Sequence, residues 1–520
     1  MNALRKIALS ISLIGCAHFI FGQNGNDFFS YPAVHTINLN FELQNYFDSL
    51  DYYKLQDNET GIEHYIKADV IIDSDTIPDV GIRFRGNSSY DHPGLKKPIQ
   101  LDFNEFVSGQ DYDGLKKLNL NNSHLDPTHM REKLMLDIFG ELNLPAPRVT
   151  YSAVYFNGNY VGLYKAMETI NKDFLETFFT NDNGNLYKCE PYMSFTYEGE
   201  GQDAYYDNCE IRTNETENDW NKLVDFIHTV NFTSIENFAA AIDQKFNIQA
   251  YLRAWAANMV FGNIDTYFYL PHNFYLYENP LTNKIDWITW DLSLGFGVGF
   301  AIFFKNNYDL AIDYMPDNAI TERPLSYYCL KNESTRAAYF SEICSLVKTK
   351  FSMNYLSPKI DSIAAIIRPY VEMEPDTNRE FTNFDFETNL QYGTVNYELL
   401  GVVPGLKSYI ELRQENVKKQ LCNLKWSCAA NDFVEFVDGI SVYPNPGTVI
   451  NVKFHIPAEY TSSQFTLYDM QGKKAYETSI PNNAEGLLTL DLSHLKQGIY
   501  VLKSDAGCFP IQHKIVVTGE

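Results

Sequence analysis

The chain has 520 residues, 45% of them hydrophobic and 15% aromatic, with 36 Tyr and 36 Phe. That length exceeds what one hydrophobic core usually organises and that composition excludes a largely disordered chain, so two or more domains are expected. A formal net charge of −25 repels nucleic acid and anionic lipid, so neither DNA, RNA nor a membrane surface is an expected partner.

The N-terminus carries Arg5 and Lys6 ahead of an apolar run from Ile7 to about Phe21, closed by Gly22-Gln23-Asn24-Gly25. This pattern predicts a signal peptide over residues 1–23 and an exported mature chain, and no other stretch approaches a membrane-spanning length. Leu13-Ile14-Gly15-Cys16 also resembles a lipobox, although the apolar run continues past Cys16 where a polar tether normally follows a lipidated cysteine. An oxidising destination makes disulfides reasonable. The sequence-local pairs are Cys189 with Cys209, Cys329 with Cys344 and Cys422 with Cys428, leaving Cys508 odd. No cysteine spacing matches a zinc site.

Residues 35–120 alternate short apolar runs with turns, as in Ala68–Asp73, Val80–Arg85 and Pro98–Phe103, which predicts antiparallel strands. Pro127–Leu142 has apolar residues at helical spacing, with Asp126 as N-cap and Arg131-Glu132 on the polar side. Strands return at Tyr151–Phe156 and Tyr160–Tyr164, joined by the hairpin signal Asn157-Gly158. From Trp220 the pattern is mainly helical: Trp220–Val230, Ser234–Lys245, Ile248–Phe261, Arg323–Phe351, Tyr355–Val371 and Leu406–Cys422. Two strands, Asn273–Tyr277 and Ile285–Trp290, interrupt it. A strand-rich part followed by a helix-rich part predicts an α+β domain of two lobes over residues 35–428.

After Asn431-Asp432, short alternating strands recur at regular turn spacing, which predicts a small all-β, Ig-like sandwich over residues 438–520. Its words Tyr443-Pro444-Asn445-Pro446, Leu467–Lys473 and Gly498–Leu502 together resemble the C-terminal sorting domain of the type IX secretion system of Bacteroidetes. That resemblance implies handling by the type IX machinery, export to the outer surface or medium, and removal of the tail. The plainer alternative is an Ig-like carbohydrate-binding or adhesion module.

One region concentrates polar groups in otherwise apolar, aromatic sequence: Asn263-Ile264-Asp265, His272-Asn273, and Trp290-Asp291-Leu292-Ser293 before Leu294–Gly297. Buried carboxylates and amides cost free energy unless they are paired or bind a cation. An Asp, an Asn eight residues on, and a second Asp at a strand end before Phe-Gly parallel the logic of kinase sites, where one Asp orients the attacking hydroxyl while an Asn and another Asp hold the metal. An Asp after a strand is also a common turn or helix cap. Gly81–Ser89 places Arg83, Arg85, two glycines and several hydroxyls at a strand-to-loop transition, with Lys96-Lys97 before the next strand. This is a workable phosphate cradle, or simply a solvated basic edge.

These segments, with GLKKPIQLDF, KLNLNNSHLDPTHMREKL, APRVTYSAVYFNGNYVGLYKAMETINKDFL, GNLYK, NIDTYFYLPHNFYLY and WDLSLGFG in order, resemble the CotH (spore coat protein H) kinase family over roughly residues 35–425. The resemblance implies an atypical two-lobed protein-kinase-like fold, ATP with Mg or Mn as cofactors, and phosphoryl transfer to Ser or Thr of secreted or surface proteins. By position, Asp265 would orient or deprotonate the acceptor hydroxyl, and Asn273 and Asp291 would bind metal. Arg83, Arg85 and Lys97 would face the phosphates, and Glu168 would pair with Lys97. Ser293 stands where many family members carry a second Asp of a D-x-D pattern. A neutral group there leaves open an active kinase with weaker metal binding or a pseudokinase serving surface assembly, adhesion or polysaccharide association.

Overall fold

The structure is a computed structural model that describes residues 24–299, 307–397, 401–424, 426, 428, 440–454, 462–481, 486–504 and 511–518. The signal segment with Cys16, the boundary at Asn431 and Cys508 lie outside these residues.

The first part is a closed barrel of seven strands: β1 (Val34–Asn40), β2 (Ile66–Ile72), β3 (Asp75–Phe84), β4 (Ile99–Asp102), β5 (Lys117–Asn121), β6 (Val149–Phe156) and β7 (Asn159–Glu168), in the order 1-2-3-4-5-7-6. Each neighbouring pair is antiparallel except β1 with β6, which run parallel and close the ring. Period-2 patterning decides which residues fill it: Ile66, Ala68, Val70 and Ile72 of β2 are buried while Lys67 and Asp69 between them are exposed. Asn157 and Gly158, both at positive φ, make the turn between β6 and β7, the chirality that matches the twist of a two-residue hairpin.

Beside the barrel stands a second antiparallel sheet, β8 (Leu186–Cys189), β9 (Glu210–Ile211), β10 (Phe274–Asn279) and β11 (Lys284–Thr289), in the order 11-10-8-9. Helix Ile248–Phe261 lies in the same core, with eleven of its fourteen residues buried. An apolar stripe that wraps the whole helix in this way marks a central element rather than a surface one. Helices Asn221–Phe232, Phe238–Asp243, Pro324–Lys331, Glu333–Lys348, Met353–Glu372, Asn383–Leu390 and Leu406–Asn423 pack into the same core. The single helix predicted over Arg323–Phe351 is two, because Asn332 leaves helical geometry and its side chain caps the second through Ser334 N and Thr335 N.

The helix expected over residues 127–142 spans Arg131–Glu141, and Arg131-Glu132 are buried rather than on a polar face. Asp126 still serves its start, accepting from Arg131 N at 2.9 Å and pairing with the Arg131 guanidinium at 2.6 Å. Burial pushes the Asp126 carboxyl up, but the Arg131 and Lys165 charges, with hydrogen bonds from Thr128 and Arg131 N, together bring it down to about 2. Arg131 also donates to Asn389 Oδ1 and Pro404 O, tying this helix to the C-terminal helices. A disulfide joins Cys344 to Cys428, so Cys344 does not take Cys329 as its partner. Cys329 is a buried thiol, and the Cys189 and Cys209 sulfurs lie 2.9 Å apart as free thiols.

The C-terminal part is all β: one antiparallel sheet of Ile440–Tyr443, Val449–Phe454 and Gly486–Asp491, and another of Ser462–Asp469, Lys474–Pro481, Gly498–Ser504 and Ile511–Val517. Both sheets contribute to one core, from Ile450, Val452 and Leu490 on one side and Phe465, Leu467, Leu502 and Ile515 on the other. Among the described residues no helix is long and apolar enough to cross a membrane.

Candidate functional site

Two loops meet at one end of the β10–β11 hairpin. An antiparallel hairpin places the residue before its first strand beside the residues after its second, and Phe274 is in register with Thr289. Asn273 therefore precedes β10 at the end where Trp290-Asp291 follow β11. Both Asn273 (φ +62°) and Asp291 (φ +51°) adopt left-handed backbone, a conformation rare outside Gly and concentrated at functional sites.

The first loop leaves helix 248–261 at Gly262. Asn263, fully buried, braces it: its side-chain amide donates to Asn258 Oδ1 and its Oδ1 accepts from Asp265 N. Asp265 is thereby fixed with its carboxylate partly open to solvent, 2.7 Å from His272 Nε2. His272 is burdened by desolvation, yet the Asp265 hydrogen bond and charge, with Glu190 and Asp291 adding, raise its pKa above the ordinary histidine value. Asn273 donates its amide NH to Asp265 O at 2.8 Å, which leaves its Oδ1 for another partner.

Asp291 is the most perturbed acid of the group. Burial pushes its carboxyl up to about 6, and the nearby Glu132 and Asp265 charges add to that, against hydrogen bonds from Ser293. Ser293 donates from Oγ to Asp291 Oδ1 at 2.6 Å, so it supports the acid without bringing charge. Asp291, crowded by two other acids and in no ion pair among the described residues, suits a cation. Among the described residues no three His, Cys, Asp or Glu side chains stand together at metal-ligand spacing, so a cation would rest on Asp291, the Asn273 carbonyl and substrate oxygens. That sparse protein shell is the kind Mg²⁺ accepts.

Opposite this hairpin the barrel contributes a buried ion pair. Lys165 on β7 and Glu132 on helix 131–141 meet at 2.7 Å with both side chains 2% exposed. Asn121, directly across from Lys165 in the β5–β7 register, donates to Glu132 and accepts from Arg85 Nη1, each at 3.4 Å. The Arg85 guanidinium in turn lies 5.5 Å from the centre of the Trp290 ring. Barrel and hairpin thus share one cluster: Lys165, Glu132, Asn121, Arg85, Asp291 and Asp265.

Of the expected site residues, Asp265, Asn273, Asp291, Ser293 and Arg85 come together. Lys97 and Glu168 do not pair. Lys97 Nζ turns into its own loop, donating to Tyr90 O and His92 O at 2.9 and 2.7 Å, while Glu168 is bound by Arg148 at 2.5 and 3.0 Å. Arg83 is engaged by Asp57, Glu63 and Gln100. The pair that sequence reasoning missed, Lys165 with Glu132, was visible as a lysine in the middle of an otherwise apolar strand and a glutamate at the start of a helix, the placement that protein kinases use for their phosphate-holding lysine and its partner.

A comparison with protein families matches residues 82–417 to the CotH kinase protein model. The chain belongs to the CotH kinase family. Residues 441–518 match the secretion system C-terminal sorting domain, which indicates export to the cell surface or beyond. This CotH kinase family chain is similar to the inner spore coat protein H of Bacillus subtilis (strain 168), at 27% identity over 320 residues that cover 60% of this chain and 83% of that protein.

Proposed function

We propose that this family member is an exported protein kinase that moves the ATP γ-phosphoryl group to Ser or Thr of extracellular or surface proteins. The observation that carries the reading is the convergence of the buried Lys165–Glu132 pair with Asp291 and Asp265 on one cluster. ATP would supply the phosphoryl group, and Mg or Mn the positive charge that steadies its oxygens.

Lys165, held by Glu132, presents an ammonium to phosphate oxygens, and Arg85 adds a second cation from the barrel side. Asp291 and the Asn273 carbonyl would hold the divalent ion. Asp265 Oδ1 is occupied by His272, so its other oxygen faces the acceptor hydroxyl. As the hydroxyl oxygen bonds to the γ-phosphorus and the bond to the β–γ bridging oxygen breaks, the hydroxyl proton passes toward Asp265. Positioning and electrostatics, rather than covalent participation by the protein, are what such transfers require.

The test is incubation of the mature protein with γ-labelled ATP and each divalent metal, with Asp265→Asn as control. Asp265→Asn should abolish transfer yet keep the ATP-dependent rise in Tm. A wild-type protein that neither binds ATP nor transfers label overturns the reading. The pseudokinase alternative draws on Ser293, which leaves the cation site one carboxylate poorer; it predicts ATP binding with no transfer at any metal concentration.

A further inference from the structure

The two loops of the candidate site rest on one aromatic ring from a helix more than a hundred residues away in sequence. Gly262, three residues before Asp265, has φ +66°, and Gly297, at the far end of the loop that begins with Asp291, has φ +74°. A methyl group on either glycine would lie 3.1 Å from the same atom, Tyr409 Cζ; the first would also overlap Tyr409 Oη and the second Tyr409 Cε2. Both backbones are therefore pressed against the ring of Tyr409, which is 1% exposed on helix 406–423. The loops are also tied to each other through Phe296 N donating to Phe261 O at 2.7 Å.

One turn further along, the fully buried Arg413 donates to Met259 O at 2.6 Å and Val260 O at 3.3 Å. These are end carbonyls of the helix that launches the Asp265 loop, past the last regular intrahelical bonds, and Met259 O also accepts from Gly262 N at 3.3 Å. Its remaining donor reaches Leu310 O and Tyr308 O at 2.6 and 2.8 Å. One face of helix 406–423 thus sets where the first loop begins and how far it stands from the second.

We propose that Tyr409 and Arg413 are positioning residues: the Tyr409 ring is the spacer that fixes the separation of the Asp265 loop from the Asp291 loop, and Arg413 anchors the start of the former. The use of that spacing in phosphoryl transfer rests on the function proposed above; the spacing itself does not. With no side chain on either glycine both backbones close on the same ring, Gly297 N standing 3.6 Å from where a methyl on Gly262 would sit, and catalytic groups tolerate only about 0.5 Å of error before activity suffers.

The experiment combines amide hydrogen exchange with steady-state kinetics. Tyr409→Ala should speed exchange at least tenfold in residues 262–266 and 291–297 without changing it in the remote helix 353–372. It should also lower kcat at least tenfold and raise the metal concentration for half-maximal activity; Tyr409→Phe, which keeps the ring, should do neither. Gly262→Ala should lose activity because its methyl meets the Tyr409 hydroxyl, and Gly262→Ala/Tyr409→Phe, which deletes that oxygen, should regain at least threefold. Exchange in Tyr409→Ala that is unchanged, or that rises uniformly across the chain, overturns the spacer. So does additivity in the Gly262→Ala/Tyr409→Phe pair, which serves where Tyr409→Ala fails to fold. A wild-type protein without transfer sinks the kinase reading alone, since loop-selective exchange still decides the spacer.

Discussion

Replacing Lys165 by Met separates what the Lys165–Glu132 pair does for stability from what it does for chemistry. Both side chains are 2% exposed and 2.7 Å apart, so solvent screening is minimal, and removing the ammonium strands a carboxylate in the interior. Breaking a buried pair from one side costs about 3–5 kcal/mol, whereas replacing both partners by neutral groups is often nearly neutral. Asn121 is the remaining donor to Glu132, at 3.4 Å, too long to compensate. For a unit of this size, whose unfolding entropy grows with chain length, that is roughly 4–6 °C in Tm. Lys165→Met and Glu132→Gln should each show such a loss, while Lys165→Met/Glu132→Gln should recover most of it. All three should lose transfer, because none presents a charged, positioned ammonium to phosphate. Thermal unfolding and a γ-labelled ATP assay on the four proteins give the result. Transfer near the wild-type level in Lys165→Met would refute the placement of the phosphates, and a double variant less stable than both single ones would refute the argument from stranded charge.

Three other outcomes are expected. Burial raises Glu278 to about 7, with the Tyr187 hydroxyl opposing. The folded chain then holds more protons than the unfolded one between about pH 4.5 and 7, so this group makes stability fall as pH rises through that window, by about 3 kcal/mol at most. Glu278→Gln should flatten that part of a Tm-versus-pH curve and raise Tm at pH 8. The Cys344–Cys428 bridge closes 84 residues, a loop for which chain entropy gives about 4.5 kcal/mol; Cys344→Ser should lose a comparable amount by denaturant titration without reducing agent. Ser293→Asp brings a second carboxylate to within reach of Asp291, since Ser293 Oγ already touches it at 2.6 Å. It should lower the metal concentration for half-maximal activity at fixed ATP and lower Tm in chelator, where the added charge has no counterion.

The sequence by itself determined whatever depends on neighbours in the chain. Period-2 runs marked β2 and β3, Asn157-Gly158 marked the β6–β7 turn, and helical spacing marked 248–261 and 406–423, because side-chain direction follows local backbone geometry. The ordered motifs also named Asp265, Asn273 and Asp291 together, and these lie near one another because the β10–β11 hairpin sets Asn273 at the end where Asp291 follows while Asn273 bonds Asp265 O. What only the tertiary structure decided depends on partners far away in the chain. The parallel β1–β6 pair that closes the barrel joins strands more than a hundred residues apart. Cys344 found Cys428 rather than a nearer thiol because distance in space, not in sequence, makes a bond. Arg131 and Glu132 read as surface charges, yet Asp126, Asn389 and Lys165 converge on them and make burial affordable. Lys97 looked like a phosphate ligand until two carbonyls of its own loop claimed its ammonium. Whether a charged side chain is buried is set by the counter-charges that folding brings to it, and a linear reading has no access to those.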